Sequence, residues 1–455
     1  MTVVMPTRVL VVGGGGREHA LAWKLAGEPG VNEVVVAPGS PAMALEDRVS
    51  IRPGTDPLDP AAVVAVARQI AAELVVVGPE APLAAGVGDA LRAAGFAVFG
   101  PDRAAARIET SKAFCHEVAA AAGVRMARAR AFSDPDAAMT FAKELAASGG
   151  GVVVKADGLA AGKGVTVCDD AAVAEVAIRA LVPTGEQTAG TPSTAPEPFV
   201  VIEERLRGPE ASLIALCDGR DAVALPLARD HKRLLDGDRG PNTGGMGAYS
   251  PLPDLRDEAA DGLLEAFHRP ILREMARRGT PFIGALYAGL ILTAEGPVLL
   301  ECNARFGDPE TQVLMPRLAT AIGPLLLAAA RGDLASATAR LGFMDSRLPA
   351  FPGAAVGIVL AAGGYPEAPR RGDAIGGLAE AAAEALIFHA GTSLDPDGTV
   401  RTSGGRVLAV VGRGADLVEA AAQAEAAADR IHFAGAQRRG DIGRGAPAAA
   451  AGVAR

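Results

Sequence analysis

The sequence predicts a multidomain protein of the α/β and α+β classes, with a doubly wound N-terminal domain and a small C-terminal α+β domain. Three observations support this prediction. A chain of 455 residues is too long for one hydrophobic core and indicates about three domains. Strand, glycine-rich turn and helix alternate near the N-terminus, as in doubly wound sheets. Strand–turn–strand patterns follow in the central region, and strands mix with an alanine-rich helix near the C-terminus.

Composition limits the class of function. The net charge is −9 and no long basic run occurs, which argues against a nucleic-acid partner. The N-terminus lacks a secretory apolar segment and no apolar stretch reaches membrane-spanning length, so we expect a cytoplasmic protein without membrane association. Four cysteines (Cys115, Cys168, Cys217 and Cys302) lack paired spacing. They predict neither a disulfide framework nor a zinc site, and are expected to be small buried side chains.

The N-terminal domain is expected to occupy residues 1–105. A strand at 8–12 runs into four glycines and a helix. The dinucleotide-binding pattern fails here, because His19 stands where the third glycine belongs and no acid for a ribose follows the second strand. The free N–H groups of a helix N-terminus, with Arg17 beside them, instead predict a site for a phosphate, such as that of a sugar phosphate.

Lysine usage points to further anion contacts. Only six of the 44 basic residues are lysines. Lys24 and Lys143 fall in helical patterns and are expected to be solvated. The other four lie beside glycine-rich or polar segments, where a flexible ammonium group suits phosphate oxygens: Lys112, Lys155, Lys163 and Lys232.

A strand, a glycine-rich loop and a second strand are predicted over residues 151–165. The loop is not a Walker motif, because three residues separate Gly158 from Gly162 and Lys163 is followed by glycine. Such a loop between antiparallel strands can fold over a triphosphate, with Lys155 and Lys163 supplying charge. The alternative is an ordinary hairpin turn.

Two more polar segments are candidates for binding. A buried strand at 199–206 ends in polar residues whose backbone can pair with an adenine edge, and Glu210 can accept from ribose hydroxyls. The glycine-rich stretch 229–249 predicts a substrate loop, since such a segment is costly to order without a ligand. Within it His231 is either a general base or a hydrogen-bonding positioner.

The end of a predicted hairpin carries the strongest signal for a metal. Its first strand is expected at 286–292, and alternation along the return strand places Glu301, Asn303 and Arg305 on one face. A carboxylate and an amide offer hard oxygen ligands, and the guanidinium can hold a phosphate oxygen. This set suits magnesium carrying a polyphosphate. A solvated salt bridge at a strand end is the alternative.

These segments together resemble the glycinamide ribonucleotide synthetase family (phosphoribosylamine–glycine ligases), which are ATP-grasp enzymes of purine synthesis. The matching stretches are residues 13–24, 78–83, 155–165, 230–233, 241–251, 363–366, 430–433 and above all Arg-Phe-Gly-Asp-Pro-Glu-Thr-Gln at 305–312. The resemblance implies an ATP-grasp region at 106–330, with a lid-bearing part at about 112–205 and a larger part at about 206–330. A C-terminal domain at 331–442 and a flexible tail at 443–455 would follow.

The resemblance also implies a reaction. ATP phosphorylates the carboxylate of glycine, and the amine of 5-phosphoribosylamine displaces phosphate to give glycinamide ribonucleotide. Mg²⁺ or Mn²⁺ would accompany ATP, the glycine loop would act as a lid, and we expect a stand-alone monomeric ligase. Two rivals remain open: a biotin-dependent carboxylase subunit, and a nucleotide-binding regulator without turnover.

Site residues follow from the resemblance position by position. Glu301 and Asn303 would bind the metal ion. Groups facing the reacting atoms would be Arg305, Asp308, Asp230 and Lys232. Nucleotide contacts would be Lys112, Lys155, Gly158, Gly162, Lys163, Glu203, Glu204, Leu206 and Glu210. Substrate contacts would be Gly14, Gly15, Gly16, Arg17, Glu18, Gly78, Pro79, Glu80, Asn242, Thr243, Gly244, Gly245, Met246, Gly307, Pro309 and Glu310.

The sequence departs from the family pattern at one relevant place. Many ATP-grasp enzymes carry a carboxylate on the first hairpin strand, and residues 287–290 offer none, which makes a second metal ion doubtful. The C-terminal domain is expected to contribute few chemical groups, with Arg371 or the turn at 391–392 reaching the substrate.

Overall fold

The computed structural model describes residues 3–159, 164–182, 198–343 and 345–444. Gly162, Lys163, nearly all of the 183–198 segment and most of the predicted tail lie outside the described residues. No helix in the described part of the chain has both the length and the apolar character needed to cross a membrane.

The N-terminal domain is built on a five-stranded parallel sheet in the order β3-β2-β1-β4-β5, which confirms the doubly wound prediction. Alternate residues of the central strand enter two different cores, with Val9 and Val11 packed toward α1 and Leu10 and Val12 toward α2 and α4. The elements are β1 (Arg8–Gly13), α1 (Gly16–Ala26), β2 (Glu33–Pro38), β3 (Val49–Ile51), α2 (Pro60–Gln69), β4 (Leu74–Val77), α3 (Glu80–Ala85), α4 (Val87–Ala93) and β5 (Val98–Phe99).

A small antiparallel sheet, ordered β6-β9-β7-β8, follows two connecting helices. The pairing of β7 with β8 confirms the strand–loop–strand prediction. Helices α7 and α8 cover one face and share a core with β7 and β9. The elements are α5 (Arg103–Thr110), α6 (Lys112–Ala121), β6 (Ala129–Phe132), α7 (Pro135–Ala147), β7 (Val152–Ala156), β8 (Val165–Cys168), α8 (Ala171–Leu181) and β9 (Val200–Glu204).

A second antiparallel sheet, ordered β11-β10-β16-β17, carries the predicted hairpin. The β16–β17 hairpin pairs Gly289 with Glu301 and Tyr287 with Asn303, so the strand opposite the acidic end offers no carboxylate, as predicted. The elements are β10 (Glu210–Asp218), β11 (Ala222–Ala224), β12 (Arg229–Asp230), β13 (Arg233–Leu235), β14 (Arg239–Asn242), β15 (Gly247–Ser250), α9 (Ala259–Leu263), α10 (Arg269–Arg277), β16 (Ile283–Thr293), β17 (Gly296–Asn303), α11 (Glu310–Arg317), α12 (Gly323–Ala330) and α13 (Leu334–Arg340).

The last sheet joins the central region to the C-terminal part. Its order is β12-β15-β18-β22-β19, so β15, which follows the 231–246 segment, pairs directly with the C-terminal strand β18. Helix α15 packs against β18 and β22. The C-terminal elements are β18 (Ala354–Ala361), α14 (Leu378–Ala382), β19 (Leu386–His389), β20 (Thr392–Leu394), β21 (Val400–Thr402), β22 (Arg406–Gly414) and α15 (Leu417–Arg430).

Helix α1 docks the N-terminal domain on the rest of the molecule. One apolar core runs from α1 through α11 and α12 to β18 and β22. The ammonium group of Lys24 donates to the carbonyl of Leu318 at 2.8 Å, and the Glu28 carboxylate accepts from the backbone N–H groups of Ile322 and Gly323. The expectation that Lys24 is solvated was therefore wrong, because its side chain spans a junction between domains.

Candidate active site

A cleft of about 1080 Å³ lies where the N-terminal domain, the small sheet, the β16–β17 hairpin and the C-terminal part meet. It brings together motifs that are far apart in the sequence. The predicted site residues that line it are Arg17, Pro79, Glu80, Lys112, Lys155, Gly158, Glu203, Glu204, Leu206, Glu210, Asp230, Lys232, Asn242, Thr243, Gly244, Glu301, Asn303, Arg305, Asp308 and Glu310.

The remaining described site residues do not line this cleft; they are Gly14, Gly15, Gly16, Glu18, Gly78, Gly245, Met246, Gly307 and Pro309. Glu18 illustrates their effect. Its carboxylate accepts from the Gly15 N–H at 2.7 Å and from Nε of Arg17 at 2.6 Å, which fixes the guanidinium that does line the cleft. Gly78 makes room for this carboxylate, because a Cβ there would lie 2.1 Å from a Glu18 oxygen.

A buried ion pair holds Lys155 in the wall of the cleft. The Lys155 ammonium group lies 2.8 Å from Oε2 of Glu203 and donates to the carbonyl of Leu300 at 3.0 Å. The other Glu203 oxygen contacts Nε2 of His116 at 2.8 Å. Burial opposes the charge on Glu203, but Lys155 and His116 hold the pKa of this carboxyl below its usual value. The Glu203 side chain is thus occupied in positioning Lys155.

Asp157, at the base of the glycine-rich loop, ties that loop to α6. Its carboxylate accepts from the backbone N–H of Lys112 at 2.5 Å and from that of Ala113 at 3.1 Å, which caps the first turn of the helix. The Lys112 ammonium group in turn donates to the carbonyl of Gly158 at 3.0 Å. Lys112 is therefore tied to Asp157 and Gly158, which are described residues at the start of the loop.

Carboxylates surround Lys232 at the centre of the cleft. Its ammonium group lies 3.2 Å from Oε2 of Glu210 and 3.6 Å from Oε1 of Glu301. Lys232, together with Lys155 and Lys112, lowers the pKa of Glu301 to about 2 against the effect of burial. Glu301 is therefore ionised at neutral pH.

Asp230, unlike Glu301, is mostly protonated at neutral pH. Its pKa is raised to about 8, chiefly by burial and also by the nearby carboxylates of Glu310, Glu210 and Glu301, while Lys232 opposes the rise. A carboxyl group with a pKa near neutrality can exchange a proton during a reaction.

Glu301 and Asn303 fit a hard divalent ion. The Asn303 amide donates to Oε1 of Glu301 at 3.5 Å, so both side chains lie on one face of β17. Among the residues that the structure describes, no cluster of three or more His, Cys, Asp or Glu side chains is arranged to hold a metal. An ion here would take one carboxylate and one amide oxygen from the chain and its other ligands from phosphate and water.

Arg305 follows the end of β17 and is fixed by three partners. It donates from Nε to Glu80 at 3.3 Å and from Nη1 to the carbonyl of Phe306 at 3.1 Å, and its Nη2 lies 3.3 Å from Glu109. Burial raises the pKa of Glu109, whereas Arg305 and Arg17 outweigh burial and lower that of Glu80. The guanidinium plane is set in the cleft wall by acids from the N-terminal domain and α5.

The signature loop that follows Arg305 depends on Gly307. A Cβ at this position would lie 2.5 Å from Oε2 of Glu310, whose other oxygen accepts from the Ser212 hydroxyl at 2.9 Å. The Thr311 hydroxyl donates to the Gly307 carbonyl at 2.5 Å. The loop is thus a compact turn that places Asp308 and Glu310 toward the cleft.

Arg406, which the sequence did not single out, reaches the cleft from the C-terminal part. It donates from Nη2 to the Asp308 carboxylate at 2.8 Å, and from Nη1 to the carbonyls of Asp308 at 2.7 Å and Gly244 at 2.6 Å. The hydroxyl of Tyr365 accepts from the Gly244 N–H at 3.0 Å. The only signal for Arg406 was a charged residue at the start of an apolar strand.

Other C-terminal expectations differ from the structure. Arg371 and the turn at 391–392 do not line the cleft. The Thr392 hydroxyl instead pairs with that of Ser40 at 2.8 Å, at the contact with the N-terminal domain. Arg439, which is 1% exposed, lines the cleft and binds Asp238 and Asp441.

Nε2 of His231 is buried and has no hydrogen-bond partner among the described residues.

Comparison with known proteins agrees with this architecture. Three family models match in succession: the phosphoribosylglycinamide synthetase N domain at residues 7–109, its ATP-grasp (A) domain at 110–311 and its C domain at 355–445. The phosphoribosylamine–glycine ligase of Streptomyces coelicolor is 49% identical over 96% of this chain and 98% of its own length. That of Leifsonia xyli is 46% identical over 96% and 99%.

Solved structures support the same relationship. The crystal structure of phosphoribosylamine–glycine ligase from Thermotoga maritima has 34% identity, covers 95% of this chain and 99% of its own, and superposes with a TM-score of 0.75. A biotin carboxylase domain from Hydrogenobacter thermophilus, at 17% identity, covers 96% and 92% with a TM-score of 0.64, a likeness of fold alone. The predicted ATP-grasp fold is confirmed. This chain belongs to the phosphoribosylglycinamide synthetase family.

Proposed function

We propose that the cleft performs the ATP-dependent ligation of glycine to 5-phosphoribosylamine, giving glycinamide ribonucleotide, ADP and phosphate. The observation that carries this proposal is the convergence of Lys112, Lys155 and Lys232 on the ionised Glu301, beside Arg305 and the signature loop. Within a chain of this family, that arrangement suits the binding of a polyphosphate next to the carboxylate of a small amino acid.

In the first step an oxygen of the glycine carboxylate attacks the γ-phosphorus of ATP, and the bond to ADP breaks. Lys112 and Lys155 are placed to neutralise charge on the transferred group, and Arg305 is oriented to hold an oxygen of glycine or of the phosphoryl group. A bound Mg²⁺ or Mn²⁺, held by Glu301 and Asn303, would supply Lewis-acid stabilisation of the phosphate oxygens. The backbone after Glu203 is proposed to bind the adenine, and Glu210 the ribose.

In the second step the amine of phosphoribosylamine attacks the carbonyl carbon of glycyl phosphate, and phosphate leaves. The amine must lose a proton as the amide forms. We assign this proton to Asp230, whose pKa of about 8 suits a group that accepts it and then releases it. His231, with its buried and unpartnered Nε2, is a hydrogen-bonding contact for the substrate in this proposal.

We also propose a domain organisation and a class of partners for the chain. We propose a doubly wound domain at 1–105, an ATP-grasp region at 106–330 and a C-terminal domain at 331–442. The last two share one sheet, through the pairing of β15 with β18. The partners are small molecules rather than nucleic acid, and we propose that the chain acts as a monomer.

The test is ADP formation with glycine and phosphoribosylamine supplied separately and together. We expect ADP release to require both substrates, since glycyl phosphate stays enclosed until the amine consumes it. ADP release at full rate without glycine would refute the ligase. Bicarbonate-dependent turnover with biotin would favour a carboxylase, and absence of ADP release with both substrates would favour a nucleotide-binding regulator.

A further inference from the structure

The end of the C-terminal part is fastened to the turn between β13 and β14. Arg439 is 1% exposed, and its Nε and Nη2 donate to the two oxygens of the Asp441 carboxylate at 2.7 and 2.6 Å. Its Nη1 donates to Oδ1 of Asp238 at 2.7 Å and to the carbonyl of Arg233 at 3.1 Å. The Asp441 carboxylate also accepts from the Gly237 N–H at 2.8 Å. Charge-assisted hydrogen bonds therefore join two segments that are 201 positions apart in the chain.

Asp238 carries this connection to His231. Nδ1 of His231 lies 3.6 Å from Oδ1 of Asp238, the same oxygen that accepts from Arg439. The backbone φ of Asp238 is +52°, in the left-handed region that aspartate enters more readily than most other residues with a side chain. Arg439 binds the carboxylate and Asp441 binds the preceding N–H, so these two residues fix where the Asp238 carboxylate stands.

The ring of His231 is itself held in one place, and its two nitrogens have different surroundings. The backbone N–H of His231 donates to the carbonyl of Gly247 at 2.9 Å, and its carbonyl accepts from the Met246 N–H at 2.8 Å. The ring packs on that of Tyr249, with 5.9 Å between centroids. Nδ1 faces the Asp238 carboxylate, whereas Nε2, in a residue that lines the cleft, is buried and has no partner within the described part of the chain.

We propose that Arg439 and Asp441 are positioning residues, which act through Asp238 to keep the proton of the neutral His231 ring on Nδ1. This inference rests on the proposed function, in which His231 contacts a substrate. A carboxylate beside Nδ1 favours the tautomer that carries its proton there, which leaves a lone pair on Nε2. Nε2 then accepts a hydrogen bond from an N–H or O–H group of a substrate. The 3.6 Å separation is longer than a hydrogen bond, and such contacts shorten when substrate binds.

Nuclear magnetic resonance measures the tautomer without turnover. The full-length protein is labelled with ¹⁵N in its histidine rings, and long-range proton–nitrogen spectra are recorded without substrates at about pH 8, above the usual pKa of histidine. The chain has six histidines, and a His231→Gln protein identifies the signals of His231 by their loss. We expect the proton on Nδ1. A proton on Nε2, or on both nitrogens, would overturn the inference whether or not the chain proves to be the proposed ligase.

Variants of two neighbouring arginines test the connection through Asp238. Arg439→Gln removes the charge that anchors the Asp238 carboxylate. Arg438→Gln is the matched control, because Arg438 pairs with Asp429 on α15 and does not line the cleft. We expect a mixture of the two tautomers of His231 in the Arg439→Gln protein, the wild-type spectrum in the Arg438→Gln protein, and partial recovery with Arg439→Lys. Wild-type spectra in all three would make Arg439 a structural residue only.

A double-mutant cycle tests whether Asp238 acts through the imidazole. Asp238→Asn is a mild change, since this side chain is 66% exposed, and the new amide can donate to Nδ1 and so move the proton to Nε2. We expect kcat/KM for ligation to fall by about threefold to tenfold, as for the loss of one hydrogen bond. The same change should have no further effect in a His231→Ala protein. Losses that multiply in the double variant would overturn the inference, and the wild-type spectrum decides the point if a variant does not fold.

Discussion

Glu301 keeps its charge in a partly buried position because Lys232, Lys155 and Lys112 lie near it. The same charges make the carboxylate a ligand for a cation that arrives with a polyphosphate. A side chain that binds a cation in an open cleft makes few packing contacts. Its removal therefore affects the fold less than the removal of a core residue.

Glu301→Gln should lower the rate of ADP formation by about 100-fold or more, because the change removes a charge from the transferring site but keeps the shape of the side chain. Thermal unfolding should change little. The matched control is Glu295→Gln, at the exposed turn of the same hairpin, where the side chain is 80% exposed. ADP assays and melting curves on both variants check this, and an active Glu301→Gln protein would remove the metal assignment.

The raised pKa of Asp230 predicts how kcat/KM depends on pH. If its carboxylate accepts the amine proton, kcat/KM for phosphoribosylamine rises with pH and levels off above about pH 8, following the pKa of the group. Asp230→Asn should lower the plateau and abolish that inflection. Profiles of both proteins from pH 6 to 9.5 test this, and an unchanged inflection in the variant would assign the proton to another group.

At the scale of elements, Arg406 couples strand β22 to the signature loop. Arg406→Ala leaves the Asp308 carboxylate without its main partner in a site where the Asp308 side chain is 17% exposed. Removing one member of such a pair typically costs about 3–5 kcal/mol. We therefore expect a lower melting temperature together with a raised KM for substrates.

The conservative variant distinguishes positioning from simple folding support. Arg406→Lys keeps one charged hydrogen bond to Asp308 but cannot reach Asp308 and the Gly244 carbonyl in the same fork geometry. It should recover most of the melting temperature and little of kcat/KM. Recovery of both to the same extent would make Arg406 a structural residue only.

Glu28, in the turn after α1, accepts hydrogen bonds at the N-terminus of α12, and this contact responds to pH. Burial raises the pKa of Glu28 from 4.5 to about 6, in opposition to its backbone hydrogen bonds. The folded protein therefore holds this proton more tightly than the unfolded chain. The resulting contribution to stability is fully present below pH 4.5 and is lost as pH rises through about 6.

The difference between a pKa of 4.5 and one of about 6 corresponds to about 2 kcal/mol. The wild type should lose about that much unfolding free energy, relative to Glu28→Gln, between pH 4.5 and pH 7. Denaturant titrations of the two proteins across this range provide the measurement. Parallel pH profiles would mean that Glu28 has the same pKa in both states.

At the scale of the whole molecule, the sequence predicted elements formed by neighbouring residues better than it predicted contacts between distant segments. The β1 turn, the β7–β8 pair and the β16–β17 hairpin were all predictable because their patterns are contiguous in sequence. The sheet that pairs β15 with β18 was not, since more than 100 positions separate these strands and no local pattern records their pairing.

The site residues divide in the same way, into those that a local pattern identifies and those whose partners are distant in the sequence. The lysines and the end of the hairpin were identified from glycine-rich surroundings and from spacing along one strand, and the structure places most of them in one cleft. Arg406, His116 and Glu109 act through partners that the sequence places far away. The misjudged Lys24 is of the same kind, because a lysine that spans two domains looks like any solvated helical lysine.

The central claim is that the cleft activates the carboxylate of glycine by phosphoryl transfer. Glycine labelled with ¹⁸O in its carboxylate tests it most directly, with the released phosphate examined by mass spectrometry. A glycyl phosphate intermediate transfers one ¹⁸O atom to phosphate in each turnover. Phosphate that carries no label, at a normal rate of ADP formation, would show that water or another group attacks ATP.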